Sequence, residues 1–97
     1  MAVHVVIKRK FRMNRPDKIL PLLNELNQRA QVQPGYVSTN TLQSTEDLGD
    51  YLVVSVWETT EDWNNWFRNP ERKEIQDQVD SLIGERTFYE VFRPVSS

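Results

Sequence analysis

The segment Tyr51-Leu52-Val53-Val54-Ser55-Val56-Trp57 sets the tightest limit on how this chain can fold. Extended, it carries Tyr51, Val53, Ser55 and Trp57 on one face and Leu52, Val54 and Val56 on the other, because successive strand side chains point to opposite sides. A strand wetted on one side alternates with polar residues, whereas this one is largely apolar on both. It has to be covered twice.

The flanking sequence supplies the rest of a sheet and its cover. Residues 3 to 11 alternate and are rich in Val and Ile, which predicts a strand with Val3, Val5, Ile7 and Phe11 on one face. His4, Val6, Lys8, Lys10 and Arg12 fall on the other. Asn14 can cap a helix whose first turn holds Pro16 and Asp17. Ile19, Leu22, Leu23, Leu26 and Ala30 then recur at helical spacing, and Pro21 is early enough in the helix to be tolerated. Pro34-Gly35 ends that segment and opens a second strand, Tyr36 to Leu42, in which Val37, Thr39 and Thr41 alternate. Ser44 to Asp50 reads as a hairpin loop into the apolar strand.

After that strand, Thr59 or Thr60 caps a short helix with Glu61 and Asp62 in its first turn. Trp63, Trp66 and Phe67 lie at i, i+3 and i+4 on its inner side. Asn69-Pro70 starts a further helix that turns Ile75, Val79 and Leu82 or Ile83 inward. Gly84 stops it. Thr87 to Phe92 makes a last strand, with Phe88 and Phe92 on one face and Tyr89 and Val91 on the other.

The order is βαββαβ, which predicts a ferredoxin-like α+β fold with a four-stranded antiparallel sheet and helices on one face. A single domain over 1–97, with a core of about 3–93, is expected. The helices cover one face, and the apolar residues of the other would form a contiguous patch of a kind monomers avoid. At roughly 25 cal/mol per Å², burying a few hundred Å² per subunit stabilises by several kcal/mol before association costs. A homodimer through that sheet face is therefore expected.

Composition closes off several function classes. The chain has 97 residues, with 12 Lys+Arg against 14 Asp+Glu, a net charge of −2. That balance lacks the basic excess of nucleic-acid binders, so no nucleic-acid partner is expected. The run Lys8-Arg9-Lys10 with Arg12 is read as a solvated strand edge or end. With no cysteine and the single histidine His4, neither a thiolate nucleophile nor a zinc cluster can be built, and no metal is expected. No apolar run reaches membrane-spanning length and the N-terminus lacks signal-peptide order, which makes the expected location cytoplasmic with no membrane partner.

The stretch Val54-Ser55-Val56-Trp57-Glu58-Thr59-Thr60-Glu61-Asp62-Trp63-Asn64-Asn65-Trp66, followed by Asn69-Pro70-Glu71, resembles the antibiotic biosynthesis monooxygenase (ABM) domain family. Pro34-Gly35-Tyr36 and Thr87-Phe88-Tyr89-Glu90-Val91 fit the same pattern, and the likeness runs over about residues 3 to 93. The resemblance implies a dimeric α+β barrel with a pocket between sheet and helices, lined here by Trp57, Trp63, Trp66 and Gln76. Haem-degrading members place an iron-ligating histidine where Gln76 aligns, and an asparagine on the first strand where this chain offers Ile7 or Lys8. Glutamine does not serve as an axial haem ligand, so haem is not expected. Quinone-forming members use a polar residue four positions before the strand-ending tryptophan, here Val53, and an arginine near Gln76. The sequence departs from both.

Taken by themselves, Trp57, Trp63 and Trp66 either pack a helix onto the sheet or wall a site for a flat ligand. Gln76 can orient a carbonyl but cannot transfer a proton at neutral pH. Asn64 and Asn65 are read as exposed helix polarity, Glu58 with Glu61 or Asp62 as cap chemistry, and His4 as an interface or surface residue. Two functions stay open, with haem binding or haem degradation as a weaker third. One is a cofactor-independent monooxygenase acting on a reduced aromatic or quinol-type molecule, with Trp57, Trp63, Trp66, Gln76 and Tyr36 or Tyr51 at the pocket. The other is a non-catalytic dimer that binds a small aromatic ligand or is structural.

Overall fold

The computed structural model describes residues 2–10, 16–83 and 87–95. Seven elements follow in order: β1 (Val3–Lys10), α1 (Pro16–Gln31), β2 (Tyr36–Gln43), β3 (Asp50–Trp57), α2 (Thr60–Phe67), α3 (Pro70–Ile83) and β4 (Phe88–Phe92). Phe11, Arg12, Asn14 and Gly84, assigned roles from the sequence, lie outside the described residues. The four strands form one sheet in the order β2-β3-β1-β4, antiparallel throughout. That is the ferredoxin-like α+β arrangement the pattern predicts, with the second helical stretch divided into α2 and α3.

The division has a local cause. Thr59 Oγ1 accepts from Asp62 N at 3.0 Å and so caps α2. Asn69 Oδ1 accepts from Glu71 N at 2.8 Å and Arg72 N at 3.3 Å, capping α3 with Pro70 in its first position. Gly35, at φ +82°, makes the turn into β2, where a side chain would be strained.

The pleat sorts the sheet into two sides. Val5 pairs with Ser55 and Ile7 with Val53, and these face the helices. They join Val3 and Trp57 in a core closed by Ile19, Leu26 and Ala30 of α1, Trp63 and Trp66 of α2, and Ile75, Val79 and Ile83 of α3. Burying one such aliphatic side chain stabilises by roughly 1.5–3 kcal/mol. On the opposite side, His4 pairs with Val56 and Phe92, Val6 with Val54, and Lys8 with Leu52 and Phe88. Among the described residues, no helix covers them. Phe88 is 64% exposed, Phe92 50% and Leu42 52%.

One strand departs from simple alternation. The register between β2 and β3 shifts between Tyr36 and Ser38, so Tyr36 opposes Trp57 while Thr39 opposes Ser55 and Thr41 opposes Val53. Val37 is the extra residue and is half exposed. A bulge inserts one residue and re-aims its neighbours. Tyr36 therefore joins Thr39 and Thr41 on the helix side, where uninterrupted alternation would have put Val37.

A cationic, aromatic-walled cavity between sheet and helices

Alternation along β1 carries Arg9 to the same side as Val3, Val5 and Ile7. Lys8 and Lys10 are exposed, but Arg9 is only 6% exposed. The basic run is thus not uniformly a solvated edge: its middle member lies inside the protein, because a period of two sends neighbours to opposite faces.

Inside, Arg9 Nη2 donates to Gln76 Oε1 at 3.0 Å. Gln76 Nε2 in turn donates to Asp80 Oδ1 at 2.8 Å and Thr87 Oγ1 at 2.9 Å. Thr87 Oγ1 donates to Asp80 Oδ1 at 2.8 Å, closing the group. Gln76 therefore stands between the guanidinium and the carboxylate that would neutralise it. Arg9 Nε is buried and has no partner among the described residues. Burial pushes the Arg9 guanidinium below its ordinary range; Tyr89 and Asp80 oppose that shift, and the neighbouring Arg72 cation adds to it. A buried, unpaired cation of this kind costs on the order of several kcal/mol.

Arg72, one helical turn before Gln76, is better provided for. Its Nε donates to Phe67 O at 2.9 Å and its Nη1 to Tyr89 Oη at 3.1 Å. The guanidinium also lies 4.6 Å from the Phe67 ring centre and 5.5 Å from that of Tyr89. Such contacts with aromatic faces are attractive.

Between the sheet and the helices is a cavity of about 220 Å³. Ile7, Arg9, Tyr51 and Val53 form its floor; Leu23, Asn27 and Ala30 of α1 form one wall. Trp63 and Trp66 of α2 with Arg72 and Gln76 of α3 form the other, and Tyr89 closes the β4 side. Among the described residues, two guanidinium groups border the space and none of its lining residues is Asp or Glu. Asn27 Oδ1 is a second buried polar atom without a partner among the described residues.

Of the six pocket candidates, Trp63, Trp66, Gln76 and Tyr51 border the cavity. Trp57 and Tyr36 lie behind it. Trp57 is wholly buried and donates through Nε1 to Ser55 Oγ at 2.8 Å. Trp66 stacks on it at 6.4 Å, and Trp63 meets it at 6.0 Å. Tyr36 packs edge-on against Trp57 at 5.5 Å and donates its hydroxyl to Thr39 Oγ1 at 2.9 Å. Asn64 and Asn65 are exposed and do not border the space.

Arg9, Asn27, Arg72 and Tyr89 were not among those candidates. The phase of β1 marks Arg9, the helical positions at i+4 from Leu23 and i−3 from Ile75 mark Asn27 and Arg72, and the phase of β4 opposite Phe88 and Phe92 marks Tyr89. A guanidinium nevertheless reaches Gln76 from elsewhere in the chain: Arg9 is hydrogen-bonded to that residue, although it lies 67 positions away.

The lining does not fit a haem. The position of a histidine ligand is held by Gln76, whose amide is bonded to Arg9, Asp80 and Thr87. His4 is on the far side of the sheet, opposite Val56 and Phe92. Among the described residues, no group of His, Cys, Asp or Glu could hold a metal ion, and no helix is long and apolar enough to cross a membrane.

Comparison with known proteins places this geometry. The sequence model of the family described as antibiotic biosynthesis monooxygenase matches residues 2–78. No curated protein sequence gives a significant match. Among solved structures, the chain is similar to SnoaB, a cofactor-independent oxygenase from Streptomyces nogalater, at 14% identity and a TM-score of 0.86 over 99% of this chain and 95% of that one. A conserved protein from Methanosarcina mazei matches at 17% identity and a TM-score of 0.87, over 96% and 92% of the two chains. A Mycobacterium tuberculosis protein matches at 15% identity and a TM-score of 0.85, over 100% and 98%. At such identities these likenesses establish the fold.

Proposed function

The chain belongs to the antibiotic biosynthesis monooxygenase family, and from that premise we propose that it is a cofactor-independent monooxygenase acting on a reduced, quinol-type aromatic molecule. The observation that carries this reading is the cavity itself, aromatic-walled and bordered by Arg9 and Arg72 with no carboxylate in its lining. Trp63, Trp66 and Tyr89 offer flat apolar surfaces to a ring. The guanidinium charges favour loss of a phenolic proton, because a positive charge attracts a nearby anion more strongly in a low-dielectric space than in water.

Deprotonation is the activating step. A neutral phenol does not react readily with dioxygen, whereas the electron-rich phenolate can pass it one electron. Recombination of the substrate radical with superoxide forms a C–O bond. Cleavage of the O–O bond then leaves one oxygen atom on the ring, and the other departs as water with two hydrogens of the substrate. The ring is oxidised to a hydroxyquinone and dioxygen is fully reduced, so no external reductant is consumed. The protein's part is to bind, orient and ionise the ring. The similarity to a cofactor-independent oxygenase supports a reaction of this kind.

We also propose that the working unit is a homodimer formed through the uncovered face of the sheet, as the exposed Phe88, Phe92 and Leu42 beside Val6, Val54 and Val56 support. Val53 favours a second reading, a dimer that binds an aromatic ligand without turnover. It presents an apolar wall where quinone-forming members carry a polar residue.

Oxygen uptake with 1,4-dihydroxynaphthalene separates the two. Catalysis predicts 2-hydroxy-1,4-naphthoquinone carrying one atom of labelled dioxygen, one product per dioxygen and no hydrogen peroxide. Trp66→Phe should retain part of this activity and Trp66→Ala should lose it while keeping its circular dichroism. Uptake no faster than spontaneous oxidation, across a panel of quinols and phenols, would leave the binding reading in place.

A further inference from the structure

On the uncovered side of the sheet, one cross-strand row runs through all four strands: Leu42 opposes Leu52, Leu52 opposes Lys8, and Lys8 opposes Phe88. Past Phe88, the first residue of β4, β1 and β3 continue to the Lys10–Asp50 pair, and the row borders a hollow of about 490 Å³. Two ammonium groups thus stand among apolar side chains. Lys10 has no ion pair among the described residues. Lys8 has Glu90 at 3.7 Å, a pair more than half exposed at both ends and therefore weak enough to exchange.

The β2–β3 loop carries the complementary set. Leu48 is 70% exposed, and Glu46 and Asp47 before it are exposed as well. The loop is held in shape by its own bonds. Ser44 Oγ accepts from Glu46 N at 3.2 Å and Asp47 N at 3.1 Å, and Asp47 Oδ1 accepts from Gly49 N at 3.0 Å. Gln43 Nε2 donates to Leu48 O at 2.8 Å. A segment ordered in advance loses less entropy when it docks.

Strand order decides where a second copy brings that loop. Sheets stacked face to face keep their strands within about 30° of each other. A two-fold axis along the strands, between β3 and β1, reverses the order β2-β3-β1-β4 across the interface. Then β2 lies over β4 and β3 over β1, with the same ends together. Each β2–β3 loop falls over the end of the other sheet that holds Lys8, Lys10 and Phe88, twice by symmetry.

We propose that each copy of this chain seats its β2–β3 loop in the hollow of a second copy, Leu48 against Phe88 and Leu52, and Glu46 and Asp47 against Lys8 and Lys10. This rests on the homodimer put forward above and adds its axis and its charged contacts.

Sedimentation of the full chain over a range of concentrations tests it. Lys10→Glu and Glu46→Lys should each weaken the homodimer about tenfold, since each turns two attractions into two repulsions. An equimolar mixture of the two variants should recover dimers of near-parental affinity. In the mixed dimer the unchanged loop meets the unchanged hollow, and the reversed loop meets the reversed hollow. Mixing cannot repair a defect within one chain, so recovery reads the contact itself. Leu48→Ser should also weaken association about tenfold with its circular dichroism unchanged, and it decides alone should Lys10→Glu misfold.

A dimer that Val54→Asp disrupts but these three variants leave intact would overturn the docking and keep the dimer. A mixture that fails to recover would overturn it too, and a monomeric parent would remove both. Binding of 8-anilinonaphthalene-1-sulfonate by the intact dimer, lost in Lys10→Glu, would overturn it in favour of a small amphipathic anion as the occupant.

Discussion

Trp66 lies on Trp57 with ring centroids 6.4 Å apart and planes 22° from parallel, yet the two rings have different neighbours on their far sides. Trp57 is enclosed at 0% exposure, whereas Trp66 borders the cavity. Their substitutions should part accordingly. Trp57→Ala should cost about 3–5 kcal/mol, a large share of the stability of a domain this size, and Trp66→Ala roughly half as much. Urea unfolding of the two variants compares them directly. Ser55→Ala, which orphans the Trp57 indole N–H without removing the ring, should cost about 1–3 kcal/mol.

Arg9 should show stability and binding moving in opposite directions. Its pKa is depressed by burial, so it holds its proton less readily folded than unfolded. The penalty is in force at every pH below the folded-state value and is relieved only as pH climbs through it. At neutral pH, Arg9→Met should therefore raise ligand-free stability by about 1–2 kcal/mol, even with Gln76 Oε1 losing its donor. Chemical denaturation without ligand measures this, and a loss of stability would mean the cation is already compensated.

Gly35→Ala should be disruptive out of proportion to one methyl group. The backbone is at φ +82°, and an added Cβ would come within 2.2 Å of Asp62 Oδ2. Asp62 is the residue whose N–H and carboxylate engage Thr59 at the head of α2. A loss of roughly 1–3 kcal/mol is expected from strain and a disturbed cap together, readable as a lowered thermal midpoint.

Val54→Asp tests the uncovered face. Val54 stands opposite Val6 and Asn40 on the side away from the helices and contributes nothing to the core. The parent should sediment as twice 11.5 kDa and the variant as a single chain, its secondary structure unchanged. A monomeric parent at micromolar concentration would exclude the dimer.

The strands, the helices and the side of the sheet left bare were legible because each rests on a local period. β3 is apolar in both phases, and α1 repeats its leucines every three or four residues. The cavity was less so. Trp63, Trp66 and Gln76 came from the family resemblance and Tyr51 from its aromatic type, while Trp57, named with them, packs behind the space. Arg9 was hidden by its neighbours, since Lys8 and Lys10 made the run look like surface. Its contact with Gln76 joins β1 to α3, and no spacing rule reaches that far. The β2 bulge was equally invisible, because an extra residue there changes the facing of Tyr36 without leaving a mark such as glycine.

Keeping Arg9 and Arg72 inside changes what the solvent meets. Both count toward the formal net charge of −2, but neither offers its cation at the surface for direct contact. The exterior is thus more acidic than a tally of the chain suggests. Contacts with an anion exchanger are made by surface groups, so the protein should be retained longer than its amino-acid totals imply.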